Sequence, residues 1–139
     1  MTSRLVEYFN KQPRLGSLST SSREGKVNVA MFGSARMTDE KTVVIGLGNN
    51  RSLQYLSENP HAVYMIVEPG KSLSEWKGIR VYLEVKEIAR SGPVLEELKN
   101  QIAKVSGKEG AAMMSAVVTF RVVEVRPLID TGQGWEKTI

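Results

Sequence analysis

The sequence predicts a mainly β, α+β domain: a six-stranded antiparallel β-barrel with short peripheral helices. Three observations predict it. Ile79, Val81, Leu83 and Val85 alternate with Arg80, Tyr82, Glu84 and Lys86, the period of a strand with one face in a core. The strand-like segments follow one another in hairpin succession, separated by turn residues. The helical segments are short and fill gaps between strands, instead of alternating with them as βαβ units do.

From the N-terminus, residues 3–12 read as an amphipathic helix. Ser3 is its N-cap, Leu5, Val6 and Phe9 share one face, and Pro13 ends it. Residues 14–22 read as a strand and Ser22-Arg23-Glu24-Gly25 as a hairpin turn. A second strand over 26–37 turns through Thr38-Asp39-Glu40 into a third at 41–48. A helix follows at 51–58, with Leu53 and Leu56 inward and Pro60 beyond its end. The apolar run Ala62 to Val67 predicts a strand buried on both faces, and residues 68–75 a loop before the alternating strand. Ser91-Gly92-Pro93 opens a helix whose buried stripe is Val94, Leu95, Leu98, Ile102 and Val105, with Gly107 as C-cap. The last strand covers 113–126, and its apolar phase slips between Val122 and Val123, as a β-bulge would make it.

Composition narrows the function. A length of 139 residues with 41% apolar residues predicts one globular domain, 1–139, without linker or repeat. The absence of cysteine excludes disulfides, thiolate nucleophiles and cysteine metal sites, and fits a cytoplasmic protein. A single histidine, His61, gives neither a zinc site nor a catalytic triad; at a strand entrance it reads as an exposed capping residue. No segment resembles a signal peptide, and no apolar run approaches the roughly 20 residues that span a bilayer. The net charge is +4, yet no two of the 19 Lys and Arg residues are adjacent. With no basic stripe, nucleic acid and membrane are not expected partners, and an anionic small ligand suits the charge.

The segment Gly46-Leu47-Gly48-Asn49-Asn50-Arg51-Ser52 bears most directly on function. It places flexible backbone, two amides, a guanidinium and a hydroxyl at a helix N-terminus, where free N–H groups and the dipole favour a phosphate. Arg51 could grip phosphate oxygens bidentately and Ser52 could donate one more bond. The same residues equally make an ordinary glycine turn with an Asn cap and an exposed arginine.

Three segments, in order, carry a resemblance to a known family. They are Asn50-Arg51-Ser52-Leu53-Gln54-Tyr55-Leu56-Ser57-Glu58-Asn59-Pro60-His61-Ala62-Val63, then Gly78-Ile79-Arg80-Val81-Tyr82-Leu83-Glu84-Val85, and the strand 26–36. Residues 3–126 thereby resemble the FMN-binding split-barrel family, whose best-known members are the pyridoxamine 5′-phosphate oxidases. The resemblance implies a split β-barrel, FMN as cofactor, and a homodimer with its cofactor sites at the subunit interface. By position, it implies that Arg51 binds the phosphate, that Asn50 takes the family's serine position and that Ser52 takes its lysine position. Val29, Ala30, Met31 and Phe32 would border the flavin ring, and Gly46, Leu47 and Gly48 would let the ribityl chain approach. Arg80 would either help hold the phosphate or make a surface ion pair. Trp76 and Trp135 would cover the ring from the partner subunit or pack the interface.

The chain departs from the vitamin oxidases in two places. Gly78 stands where they carry a flavin-contacting glutamine, and their C-terminal substrate stretch has no counterpart before Ile139. The resemblance is therefore closer to the small flavin-binding members. With no general acid or base evident, the chemistry would belong to the cofactor, as in a flavin-dependent oxidoreductase of unassigned substrate. The alternatives are a non-enzymatic flavin binder or electron carrier, and a split barrel that binds a deazaflavin or haem.

Overall fold

A computed structural model describes residues 3–139. Helix α1 (Arg4–Asn10) is followed by β1 (Leu15–Ser21), β2 (Val27–Met31), β3 (Arg36–Asp39) and β4 (Thr42–Leu47). Then come α2 (Arg51–Glu58), β5 (His61–Glu68), β6 (Lys77–Ala89), α3 (Pro93–Ala112) and β7 (Ala116–Pro127). Single 3₁₀ turns lie at Leu73–Glu75 and Trp135–Lys137. The strands form one antiparallel sheet in the order β2-β1-β5-β6-β7-β4-β3.

The sheet has seven strands rather than the expected six, because the segment 26–37 is two strands and not one. The break falls at Phe32–Ala35, where Gly33 and Ser34 supply no bulk to hold a ladder. Its consequence is the shape of the fold. β2 and β3 are consecutive in the chain yet form the two outer edges of the sheet. A four-residue link reaches at most about 17 Å, so the sheet must curl until its edges nearly meet. That is a split barrel.

Helix α1 plugs the split. Ser3 Oγ accepts from Val6 N–H at 3.1 Å as its N-cap, and Leu5 and Phe9 are buried against the barrel core. At its C-terminal end the Asn10 amide imitates a strand peptide. Its Oδ1 accepts from Met37 N–H at 2.9 Å and its Nδ2 donates to Met37 O at 2.8 Å, satisfying the outer edge of β3. On the other side Tyr8 donates its hydroxyl to Glu68 at 2.5 Å, and Lys11 pairs with the same carboxylate at 2.9 Å. The Tyr8 hydrogen bond is the main reason the Glu68 pKa lies below its ordinary value, and burial raises that of Tyr8.

Three other expectations need correction. β5 alternates instead of being buried on both faces: Ala62, Tyr64 and Ile66 point into the core, while Val63 and Met65 are half-buried on the outside. α3 does not stop at Gly107. A kink there, at φ +77°, joins two helical pieces, so β7 begins at Ala116 rather than at 113. Of its expected buried stripe only Leu95 is buried; Val105 is 87% exposed and Val94 is 58% exposed. The expected bulge in the last strand is present: Leu83 pairs with Val122 and Tyr82 with Glu124, leaving Val123 as the extra residue.

Candidate functional site

The C-terminal end of β4 is glycine-rich where α3 crosses it at close range. A Cβ on Gly46 would stand 2.3 Å from Leu98 Cδ2 and 2.9 Å from Met114 Sδ, and one on Gly48 would stand 2.9 Å from Met113 O. The free face of these glycines is thus taken up by α3 and the segment after it. Between α3 and the Phe32–Ala35 link a cavity of about 760 Å³ opens, bordered by Met31, Phe32, Gly33, Ser34, Gly46, Gly48, Asn49 and Asn50. α3 supplies the opposite wall with Leu98, Gln101, Ile102, Val105 and Ser106. The walls are mostly apolar, with a few polar groups at the rim.

At the asparagine end this cavity meets a second, polar cleft lined by Asn49, Asn50, Arg51, Gln54, Ser57, Glu58 and Arg90. Helix α2 begins between the two. Asn50 caps it, its Oδ1 accepting from Leu53 N–H at 3.0 Å. Arg51, the first helical residue, is exposed, and its guanidinium has no partner among the described residues. Ser52 is buried and accepts from Asn28 Nδ2 at 3.2 Å, so its hydroxyl ties α2 to β2.

The thirteen residues singled out by the sequence fall into three groups. Met31, Phe32, Gly46, Gly48 and Asn50 line the cavity, and Arg51 adjoins it. Ala30 is half-buried and paired with Leu18, Leu47 is wholly buried in the core, and Ser52 is occupied as described. The others lie elsewhere. Val29 faces out of the barrel into a groove shared with Val27, His61, Val63, Tyr82 and Val123. Arg80 spends all three guanidinium nitrogens on Pro127 O (2.9 Å), the Tyr82 hydroxyl (3.2 Å) and Asp130 (2.6 Å). Trp76 donates to Gly70 O at 3.1 Å, and Trp135 packs against the core from the C-terminal segment.

Sequence reasoning missed the α3 wall and the residues that hold the link. Tyr64 is wholly buried and donates to Phe32 O at 2.6 Å. Burial pushes its hydroxyl above the ordinary tyrosine value, against the opposing pull of Arg14, so it remains a donor at neutral pH. The apolar stripe on α3 marked the residues of this wall, but its periodicity does not distinguish a face against the core from one against a cavity.

No family model matches this chain, and no curated protein does. Solved structures do. An FMN-binding protein from Syntrophomonas wolfei matches with a TM-score of 0.76 and 22% identity, over 93% of this chain and 85% of that one. HupZ from Group A Streptococcus matches with a TM-score of 0.75 and 19% identity, over 96% and 98%. HutZ, the heme storage protein from Vibrio cholerae, matches with a TM-score of 0.65 and 16% identity, over 90% and 94%. The split-barrel fold is therefore shared with solved structures that include an FMN-binding protein, as the resemblance in the sequence implied.

Proposed function

We propose that this chain binds FMN in the cavity beneath α3 and serves as a flavin-dependent oxidoreductase, with a second copy of the chain completing the site. The observation that carries the reading is the adjacency of a mostly apolar cavity of about 760 Å³ and an uncommitted guanidinium, Arg51, at a helix N-terminus. The volume falls in the range of small-molecule sites, about 300–1,000 Å³. Met31, Phe32, Leu98 and Ile102 would exclude water from a flat aromatic ring. Arg51 and the first free N–H groups of α2 would hold the phosphate. Bound FMN would supply hydride and single-electron chemistry. The description of the Syntrophomonas wolfei neighbour as an FMN-binding protein supports the choice. The haem reading has HutZ in its favour, but His61, the one histidine, lines the outer groove and offers the cavity no axial imidazole.

The test is an absorbance spectrum of the purified protein, repeated after adding FMN and removing the excess. A retained flavin spectrum is expected. Arg51→Ala is expected to weaken FMN binding by roughly 1.5–3 kcal/mol, the range for a hydrogen bond to a charged group. Protein that retains no FMN, or an Arg51→Ala variant with unchanged affinity, overturns the assignment. A Soret band with haemin and no flavin retention reverses the order of the two readings.

The second copy is supported by the outer face of β2, β1 and β5. Val27 (83% exposed), Val29 and Met31 on β2 and Val63 and Met65 on β5 flank the β1 serines Ser17, Ser19 and Ser21, a largely apolar surface on the barrel's exterior. Twofold pairing would cover it. Light scattering should give twice the 15.4 kDa of the chain; a monomer mass would overturn the shared site.

A further inference from the structure

The link Phe32–Ala35 is held from the barrel side with unusual completeness. Tyr64 donates to Phe32 O at 2.6 Å, and Arg14 Nη2 donates to Gly33 O at 2.9 Å and to Ala35 O at 2.8 Å. Phe32 N–H donates to Gly16 O at 3.0 Å, and Ser34 Oγ to Gly46 O at 3.1 Å. The clamp itself is fixed. The Arg14 guanidinium lies 5.3 Å and 5.4 Å from the rings of Phe9 and Tyr64, and its Nη1 donates to Phe9 O at 2.6 Å. The Tyr64 hydroxyl fills the space over Gly16, 1.9 Å from where a Cβ would stand.

These bonds have a directional consequence. In a trans peptide the N–H points opposite to the C=O of the same unit, and the link is trans throughout. Holding Phe32 O and Gly33 O against the barrel therefore turns the N–H groups of Gly33 and Ser34 the other way. Neither N–H has a partner among the described residues, and both residues border the cavity. We propose that Arg14 and Tyr64 are positioning residues that present these two adjacent amides as a paired donor site for an electronegative atom of the bound ligand. The inference rests on the FMN reading, in which the acceptors would be the two carbonyl oxygens or the unprotonated ring nitrogen N1 of the flavin's pyrimidine half. Donors fixed there favour whichever ligand state carries more negative charge on its acceptor.

The experiment follows the Gly33 and Ser34 amide resonances of ¹⁵N-labelled protein during FMN titration, together with the visible spectrum of the bound flavin. In the wild-type protein both amide protons should move downfield at saturation. Tyr64→Phe, which removes one hydroxyl and keeps the ring, should raise the Kd for FMN about tenfold. It should also abolish the downfield shift at Gly33 and change the bound-flavin spectrum. Arg14→Lys should do the same at Ser34. A role in folding alone would lower the unfolding midpoint and leave the shifts of the FMN-bound protein in place, which overturns the inference. Wild-type protein that binds FMN without moving either amide also overturns it, and leaves the FMN reading standing. Wild-type protein that does not bind FMN overturns both. If a variant fails to fold, the wild-type amide shifts decide.

Discussion

Gly78→Ala is expected to destabilise the protein by at least about 3 kcal/mol, at the upper end of single-residue effects. A Cβ there would lie 2.0 Å from the carbonyl oxygen of Ile66, on the neighbouring strand of the β5–β6 ladder, and the backbone sits at φ +153°. The opposite side is closed as well. Gly78 N–H donates to Thr138 O at 2.8 Å, and Thr138 Oγ1 donates to Gly78 O at 2.8 Å. Neither the strand nor the C-terminal segment can yield without losing hydrogen bonds. Gly132→Ala is the control, since φ is +85° there but nothing lies within 4 Å of a Cβ. It should cost only the conformational strain, about 1–2 kcal/mol. Urea unfolding of the two variants separates the terms, and a Gly78→Ala loss no larger than the control's would refute the close approach.

Phe9→Ala should cost about 3–5 kcal/mol, the range for deleting a buried aromatic ring. Phe9 is fully buried, its ring centroid 5.2 Å from that of Tyr64, with Arg14 stacked on both. Its removal would leave a void where α1 closes the split and would loosen the guanidinium that holds the link. Val105→Ala, at an 87% exposed position, should lie within about 0.5 kcal/mol of wild type. A Phe9→Ala loss below about 1 kcal/mol would mean that α1 does not seal the barrel.

Local chemistry was legible in the sequence. The alternation of β6, the caps Ser3 and Asn50, and the bulge at Val123 all follow from neighbouring residues, and the structure contains each of them. What was not legible depends on distant parts of the chain. The split between β2 and β3 leaves only Gly33 and Ser34 as a local mark, because both halves keep a strand's alternation. The stripe on α3 was legible as apolar, but periodicity does not say whether such a face meets a core or a cavity. The site divides in the same way. Arg51 was visible because a helix N-terminus is a local object. Arg14 and Tyr64 were not, since their bonds to the link reach across 19 to 32 residues.

The position of β7 bears on how the chain comes to be folded. It is the last strand of this sheet in chain order, yet it lies inside the sheet, with β6 on one side and β4 on the other. Strands β2, β1, β5 and β6 can assemble from residues 15–89 as the chain emerges from the ribosome, while β4 has β3 alone for company. Its pairing of Leu47 with Ala116 closes a long loop, a slow step for any chain. Until synthesis passes Pro127, the inward residues Val43, Ile45 and Leu47 have no lasting cover. A nascent chain stalled in that interval presents a sticky half-barrel, the state in which a chaperone would find most to hold.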